Sequence, residues 1–210
     1  VWFVFSTVLS AFLPNAIVAA ALCPVAAAMI NYSGESQPGV QQEKTLYLIL
    51  MAIVWGAGIG GFGTPLGGAM NLVAIDHIEA FTGQEYMYLT WTLKMLPYLL
   101  ILAGGTCMYL LLIRTDSPAI PGSRTFFRDE IAKTGKMTRA QAVSLALFCT
   151  AVLLAFLRPL YKDLLPGFAP YYAFLLMGLI TFFIKDKDNG KVMTWDYAAK
   201  NINWGLILLF

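Results

Sequence analysis

The chain of 210 residues is 59% hydrophobic and only 12% charged, with a formal net charge of +2 and a mean hydropathy of +0.68. A soluble domain of this size needs more polar surface, so the composition places the chain in a lipid bilayer, and so small a net charge gives no basis for a nucleic-acid partner. Cys23, Cys107 and Cys149 each sit inside an apolar run without CxxC or metal-type spacing and read as small hydrophobes.

The first uncharged run, residues 1–34, is too long for one ordinary span and is split near its middle by Pro14-Asn15. Each arm is then about 13 to 15 residues, roughly 20–23 Å at 1.5 Å per residue and short of the ~30 Å hydrocarbon core. A re-entrant helical hairpin over residues 1–30 fits better than two crossings. Pro14 withholds a backbone donor and Asn15 adds an amide that needs partners, so this break must be buried in protein or line a wet cavity. The second run, 45–75, holds 31 uncharged residues, yet residues 56–71 contain seven glycines and a proline. Such a window cannot continue a regular helix, and a broken helix over 45–82 is expected.

Within segment 83–113, residues 95–113 form an uncharged run of 19, and residues 140–157 form one of 18; both are long enough to span. The early prolines of run 164–184, Pro166 and Pro170, delay its helix to near Tyr171. Segment 140–203 is therefore expected to hold two transmembrane helices, and 204–210 to open a further one. Both chain ends fall inside apolar segments, no signal-peptide n-region precedes the first of them, and the chain reads as a piece of something longer.

If the broken helix and each later run cross once, the loops 31–44, 114–139 and 185–203 carry eleven of the fourteen Lys and Arg residues. These loops are expected to be cytoplasmic, in a multi-pass protein of the cell membrane. Inside the largest, residues 126–133 suit a short interfacial helix with Phe127 and Ile131 four residues apart.

Gly56, Gly58 and Gly61 match GxGxxG, with Asp76 twenty residues beyond Gly56. A dinucleotide site needs a helix to start at those glycines, whereas Pro65, Gly67 and Gly68 break the chain again and no βαβ alternation surrounds it. Close helix packing accounts for Gly56, Gly60 and Gly61. It leaves Thr64, Pro65 and Asn71 unexplained, because polar side chains and missing donors are costly in hydrocarbon. Ion ligation accounts for them: carbonyls freed by unwinding coordinate a small cation, and amides at half-helix N-termini face an anion. A membrane-embedded enzyme built on His77 and Asp76 is the alternative. There, Ile75, Ile78 and Phe81 form an apolar stripe that leaves His77, Asp76 and Glu79 on the other face, without HExxH, GxSxG or a Ser/His arrangement.

The hairpin Ser10…Pro14-Asn15-Ala16…Pro24, followed by the stretch 60–71 (GGFGTPLGGAMN), resembles the divalent anion/sodium symporter family of the ion-transporter superfamily. The similarity extends through Lys136-Met137-Thr138 to residues 202–210. It implies an all-α polytopic membrane protein, one part of an inverted-repeat transporter, in which residues 1–82 belong to the moving transport unit. It further implies sodium as the coupled ion, a small anionic substrate such as a dicarboxylate or sulfate, alternating access, and a homodimer of the full-length protein. Carried over by position, Ser10, Asn15, Gly60, Gly61 and Thr64 would bind sodium, and Pro14, Asn15, Ala16, Gly67 and Asn71 would line the substrate. Pro14 and Ala16 stand where the family has a serine and a threonine, and Ala69-Met70 where it has two prolines, so two carboxylate-binding hydroxyls are absent. Sodium/proton and arsenite transporters of the same superfamily have a similar SAFLxN hairpin, typically with an acid before the asparagine; Pro14 cannot carry a proton.

Overall fold

The computed structural model describes residues 1–36, 42–113, 120, 122–185, 192–202 and 204. Parts of the three expected cytoplasmic loops (37–41, 114–119, 121, 186–191 and 203), and the further helix expected over 204–210 beyond Trp204, lie outside the described residues. Among the described residues the chain is all-helical, without a strand. Four stretches are long and apolar enough to cross a bilayer: Asn15–Ser33, Glu43–Gly60, Tyr88–Leu112 and Arg139–Phe156. The chain is a polytopic membrane protein divided into two compact units, Val1–Gly135 and Lys136–Phe210.

The first unit comprises α1 (Trp2–Ser10), α2 (Asn15–Ser36), α3 (Gln42–Gly60), α4 (Ala69–Thr82), α5 (Tyr88–Leu112) and α6 (Ser123–Thr134). Its tightest contact is α1 on α3. Lipid is as apolar as leucine, so helices in a bilayer associate through close packing and hydrogen bonds, and small residues let backbones approach. Here Ser6, Thr7 and Ser10 of α1 are buried. A methyl group added at Gly60 would overlap the Thr7 carbonyl, and one at Gly56 would overlap the Ser6 hydroxyl. The hydroxyls of Ser6 and Thr7 donate to the Phe3 carbonyl at 3.0 and 2.8 Å, which keeps them satisfied inside this contact.

On another side of α3, Val18, Leu22 and Ala26 cluster with Ile53 and Ala57, and farther along α2, Met29 and Ile30 pack with Leu46 and Ile49. Helix α2 therefore runs antiparallel to α3 while α1 runs with it. The outer end of α2 lies near the start of α3, whereas α1 begins beside Gly56 in the last third of α3, and the connecting turn lies near its end. Trp2 packs on both clusters. The two arms are less equal than expected, with 9 residues in α1 and 22 in α2, the latter about 33 Å long. The extra length arises because the helix continues through Pro24 and past the expected end at 30 into the polar residues 31–36.

Helix α6 is longer than the expected 126–133, and its contact residue differs. Phe126 is buried against Met29 and Ile30, with its ring 5.6 Å from that of Tyr32. Phe127 reaches Trp2, ring centroids 6.1 Å apart, and Ile131 is exposed. Helix α5 begins at Tyr88, seven residues before the uncharged run that marked it. The charge at Lys94 does not stop it, because the ammonium lies 5.3 Å over the Tyr86 ring.

The second unit comprises α7 (Arg139–Phe156), α8 (Arg158–Tyr161), α9 (Pro170–Ile180) and α10 (Trp195–Asn201). A capping box starts α7: Gln141 N–H donates to the Thr138 hydroxyl at 3.2 Å, and Thr138 N–H donates to Gln141 Oε1 at 2.9 Å. Helix α9 starts at Pro170, next to the expected Tyr171. It runs only 11 residues, because 181–183 tighten into turns whose amides reach back three residues. That is about 17 Å, shorter than the run 164–184 allowed. Arg158, expected as a loop cation, is 2% exposed and donates to the carbonyls of Leu165 and Pro166, each at 2.8 Å, pinning the connection to α9.

The α1–α3 contact predicts opposite responses at two glycines of one helix. Gly60→Ala should destabilise the full-length protein by about 1–3 kcal/mol through overpacking. Gly58→Ala, which meets nothing within 4 Å, should be neutral or stabilising by up to about 1 kcal/mol. Thermal unfolding in detergent measures both, and equal unfolding temperatures for the two variants would contradict the close approach.

Candidate functional site

Both breaks in the first unit fall at one place. Helix α1 ends at Ser10 and α3 ends at Gly60, and the Ser10 hydroxyl donates to the Ala57 carbonyl at 2.7 Å. One turn further, the Thr64 hydroxyl donates to the Ala11 carbonyl. Helices α2 and α4 begin at Asn15 and Ala69, and Asn15 N–H donates to the carbonyl of Gly67, two residues before α4, at 3.3 Å. Two helix C-termini thus meet on one side of the junction and two N-termini on the other.

The loop 61–68 is held by a ring of donors. The amides of Gly61, Phe62 and Gly63 bond back to Ala57, Ile59 and Gly60 at 3.1, 3.2 and 2.9 Å, the tightened end of a helix that otherwise leaves carbonyls open. Both hydrogens of Asn71 Nδ2 are used inside the loop, on the carbonyls of Gly61 at 2.6 Å and Thr64 at 2.9 Å. Thr64 also accepts from Leu66 N–H at 3.1 Å. From α5, Trp91 Nε1 donates to the Phe62 carbonyl at 3.1 Å. Gly67 is required by proximity: a methyl there would overlap the Ser10 carbonyl and lie 2.7 Å from that of Gly61.

No charged side chain belongs to either break, since residues 1–34 and 45–75 are uncharged. The local field comes from backbone dipoles, which place partial negative charge at the C-termini of α1 and α3 and partial positive charge at the N-termini of α2 and α4. Helix α4 has no side-chain cap, which leaves first-turn amides of Ala69 and Met70 on an exposed surface. Ser10, Gly60, Gly61 and Thr64 are buried, whereas Pro14, Asn15 and Ala16 are exposed. The oxygen-rich side is therefore dry, and the amide-rich side is open.

All the residues expected at a sodium or substrate site come together at this junction. Asn71 arrives in a different capacity from the one expected: it is 6% exposed and has no N–H left for an anion, so it braces the loop. Asn15 Oδ1 accepts from Ala16 N–H at 2.8 Å. Reading the sequence for the site missed Ala11, Ala57 and Trp91. The two carbonyls carry no signal because every residue has one. Ser6 and Ser10, four apart, did offer a readable one-sided polar stripe on α1. The alternative pair, His77 and Asp76, is exposed on α4, and the described residues hold no group of three or more His, Cys, Asp or Glu able to bind a metal. A groove of about 500 Å³ between α3 and α5, lined by Trp55, Gly58, Gly105 and Tyr109 among others, is apolar and contains none of the residues expected at the site.

A helix pair whose turn meets a broken helix at its break defines a class of membrane protein in which irregular backbone at membrane depth is buried in protein and not exposed to lipid. All of residues 1–210 match the citrate transporter family, CitMHS, and the chain belongs to it. It is also similar to the sodium-dependent dicarboxylate transporter SdcS of Staphylococcus aureus. In strains NCTC 8325 / PS 47 and USA300 the identity is 27% over 217 residues, covering 96% of this chain. The chain spans 41% of the length of these relatives.

The Thr64 bridge gives a direct test of this geometry. Thr64→Val removes one donor and one acceptor at constant shape and leaves the buried partners unmatched, a loss of about 1–3 kcal/mol, while Thr64→Ser should retain most of the stability. Unfolding of the full-length protein by denaturant reads the difference, and a valine variant as stable as the serine variant would mean that the bridge is not formed.

Proposed function

We propose that the full-length protein is a secondary active transporter that couples sodium to the movement of a small anion by alternating access. The observation that carries this reading is the junction itself, where two helix C-termini and two hydroxyls face one way and two helix N-termini face the other. Carbonyl and hydroxyl oxygens suit a hard cation, and helix N-termini suit an anion. Ser10, Asn15, Gly60, Gly61 and Thr64 are assigned to sodium. Pro14, Asn15, Ala16 and Gly67 are assigned to the anion, with Asn71 holding the loop between them.

Sodium coupling draws further support from SdcS, a sodium-dependent dicarboxylate transporter by name, and the family supports a citrate-like cargo. Citrate and dicarboxylates share the chemistry of a small polycarboxylate, which makes that class the favoured cargo. Proton coupling and arsenite-type transport are less well supported, because neither break contains a group that titrates. An enzyme centred on His77 and Asp76 has no chemistry built around it. The rest of the site is assigned to an inverted repeat beyond this chain, and the full-length assembly to a homodimer, both on family resemblance.

In this reading α1 and α2 form the re-entrant hairpin. The outer end of α2 lies near the start of α3, α1 begins beside Gly56, and the turn meets the break inside the uncharged run 45–75; entry and exit on one side of the membrane is assigned on the family resemblance. The excess of basic residues then supports a cytoplasmic position for loops 31–44, 114–139 and 185–203. Ser123→Cys in the full-length protein, made after replacing Cys23, Cys107 and Cys149, should resist an impermeant thiol reagent applied outside intact cells. Ready labelling from outside would reverse the topology.

The transport reading is tested with full-length protein in proteoliposomes and radiolabelled citrate or succinate. An inward sodium gradient should drive uptake, and choline or a proton gradient should not. Asn15→Ala should weaken the apparent affinity for both solutes by roughly 10- to 150-fold, the worth of a hydrogen bond to a charged group. Sodium-independent uptake, or an alanine variant with unaltered sodium dependence, would sink the mechanism.

A further inference from the structure

One contact at the junction comes from outside the hairpin and the broken helix. Trp91, in the first turn of α5, is 6% exposed, and its Nε1 donates to the Phe62 carbonyl at 3.1 Å. Phe62 is the one residue of the stretch 60–64 whose side chain is exposed, so its conformation is not set by packing of that side chain. The two carbonyls before it are engaged within the broken helix, that of Gly60 by Gly63 N–H at 2.9 Å and that of Gly61 by Asn71 at 2.6 Å. The Phe62–Gly63 peptide unit is thus held at both ends, its N–H by the Gly60 carbonyl within the broken helix and its C=O by the indole from α5.

The indole is itself fixed by the corner between α4 and α5. Tyr86 N–H donates to Glu79 Oε1 at 2.7 Å, the Tyr86 ring meets Trp91 edge-on with centroids 6.5 Å apart, and Lys94 lies over the other partner of that pair, 5.3 Å from the Tyr86 centroid. A carboxylate on α4, a loop amide, two rings and an indole N–H thus lead from the end of α4 back to the break that precedes it. Glycine on the C-terminal side of this peptide tolerates both φ signs, so once the indole bond is lost the Gly63 N–H bond to Gly60 is left to oppose a turn. If the Phe62–Gly63 peptide turned, the loop would present a different set of carbonyls to a cation.

We infer that Trp91 is a positioning residue for the ion at this break: by holding the Phe62 carbonyl toward α5 it fixes which loop oxygens are presented to the cation, and so sets cation affinity. The inference rests on the proposed sodium coupling and adds to it a residue that lies outside both interrupted elements. A preorganised loop binds more tightly because its ordering cost is met in advance. Loss of one neutral hydrogen bond that maintains this order corresponds to about a three- to tenfold change in apparent sodium affinity.

The test uses full-length protein in proteoliposomes with radiolabelled succinate, titrated with sodium. Trp91→Phe keeps an aromatic ring and removes the N–H. Trp91→benzothienylalanine, introduced by codon suppression, keeps the bicyclic shape and removes only the donor, so a folding failure of the first variant does not end the test. Both should raise the half-saturating sodium concentration three- to tenfold, with less than a twofold change in maximal rate. Both should also speed hydrogen exchange in a peptide covering 61–68 in sodium-free buffer. An unchanged sodium titration, a fall in maximal rate alone, or unchanged exchange would each overturn the assignment of Trp91. If the unsubstituted protein lacks sodium dependence, the functional reading fails first and this role for Trp91 fails with it; sodium dependence retained equally by both variants fails the Trp91 role alone.

Discussion

Two interrupted helices in hydrocarbon can keep their backbones hydrogen-bonded if they meet at their interruptions. Each helix end leaves up to four amides or carbonyls without an intrahelical partner, and lipid supplies none. The chain interrupts itself at 11–14 and at 61–68, and the two gaps complete one another: Thr64 reaches the Ala11 carbonyl, Ser10 reaches that of Ala57, and Asn15 N–H reaches that of Gly67. This exchange is possible because Gly56, Gly60 and Gly67 let backbones approach closer than any side chain would permit. Helix α4 starts without a side-chain cap, on the exposed amide-rich rim.

A neutral site follows from the same construction. With no carboxylate or ammonium at the break, the proposed mechanism has a cation held by carbonyl dipoles and an anion by amides, each ion supplying the charge the other lacks. Asn15 lies at the turning point, its backbone amide tied to Gly67 and its side chain exposed. An ion that orders the hairpin tip alters the surface the second ion meets, and the free energy of that coupling is reciprocal. Helix α6, docked through Phe126 on the outer end of α2, and Trp91, bonded to the loop from α5, connect the junction to the rest of the first unit.

Much of this was legible in the residues. Hydropathy and the positions of Pro14 and of the glycines in 56–71 located both breaks, since a helix in lipid cannot pass through such residues without consequence. Hairpin arm lengths were not legible: a proline inside a transmembrane helix is tolerated when its freed carbonyl finds a partner, and Pro24 does not end α2. Within segment 83–113 the uncharged run alone did not mark where α5 begins, because Lys94 interrupts it and the ring of Tyr86 lies beneath that charge. Resemblance put Asn71 near the substrate, but both of its N–H groups turn inward to Gly61 and Thr64, a matter of side-chain direction that residue type does not encode. Trp91 was invisible for the same reason, lying 29 residues from its acceptor. Pairing the buried Arg158 with carbonyls of a nearby loop likewise depends on how the chain folds back.

The central claim is that one junction holds both ions, and linkage tests it most directly. Equilibrium binding of succinate to the purified full-length protein, measured by calorimetry with and without saturating sodium, gives one affinity ratio. Binding of sodium with and without saturating succinate gives the other. The account predicts equal ratios of at least about fivefold, the lower end of ordinary coupling between sites. Succinate affinity that is indifferent to sodium would contradict it.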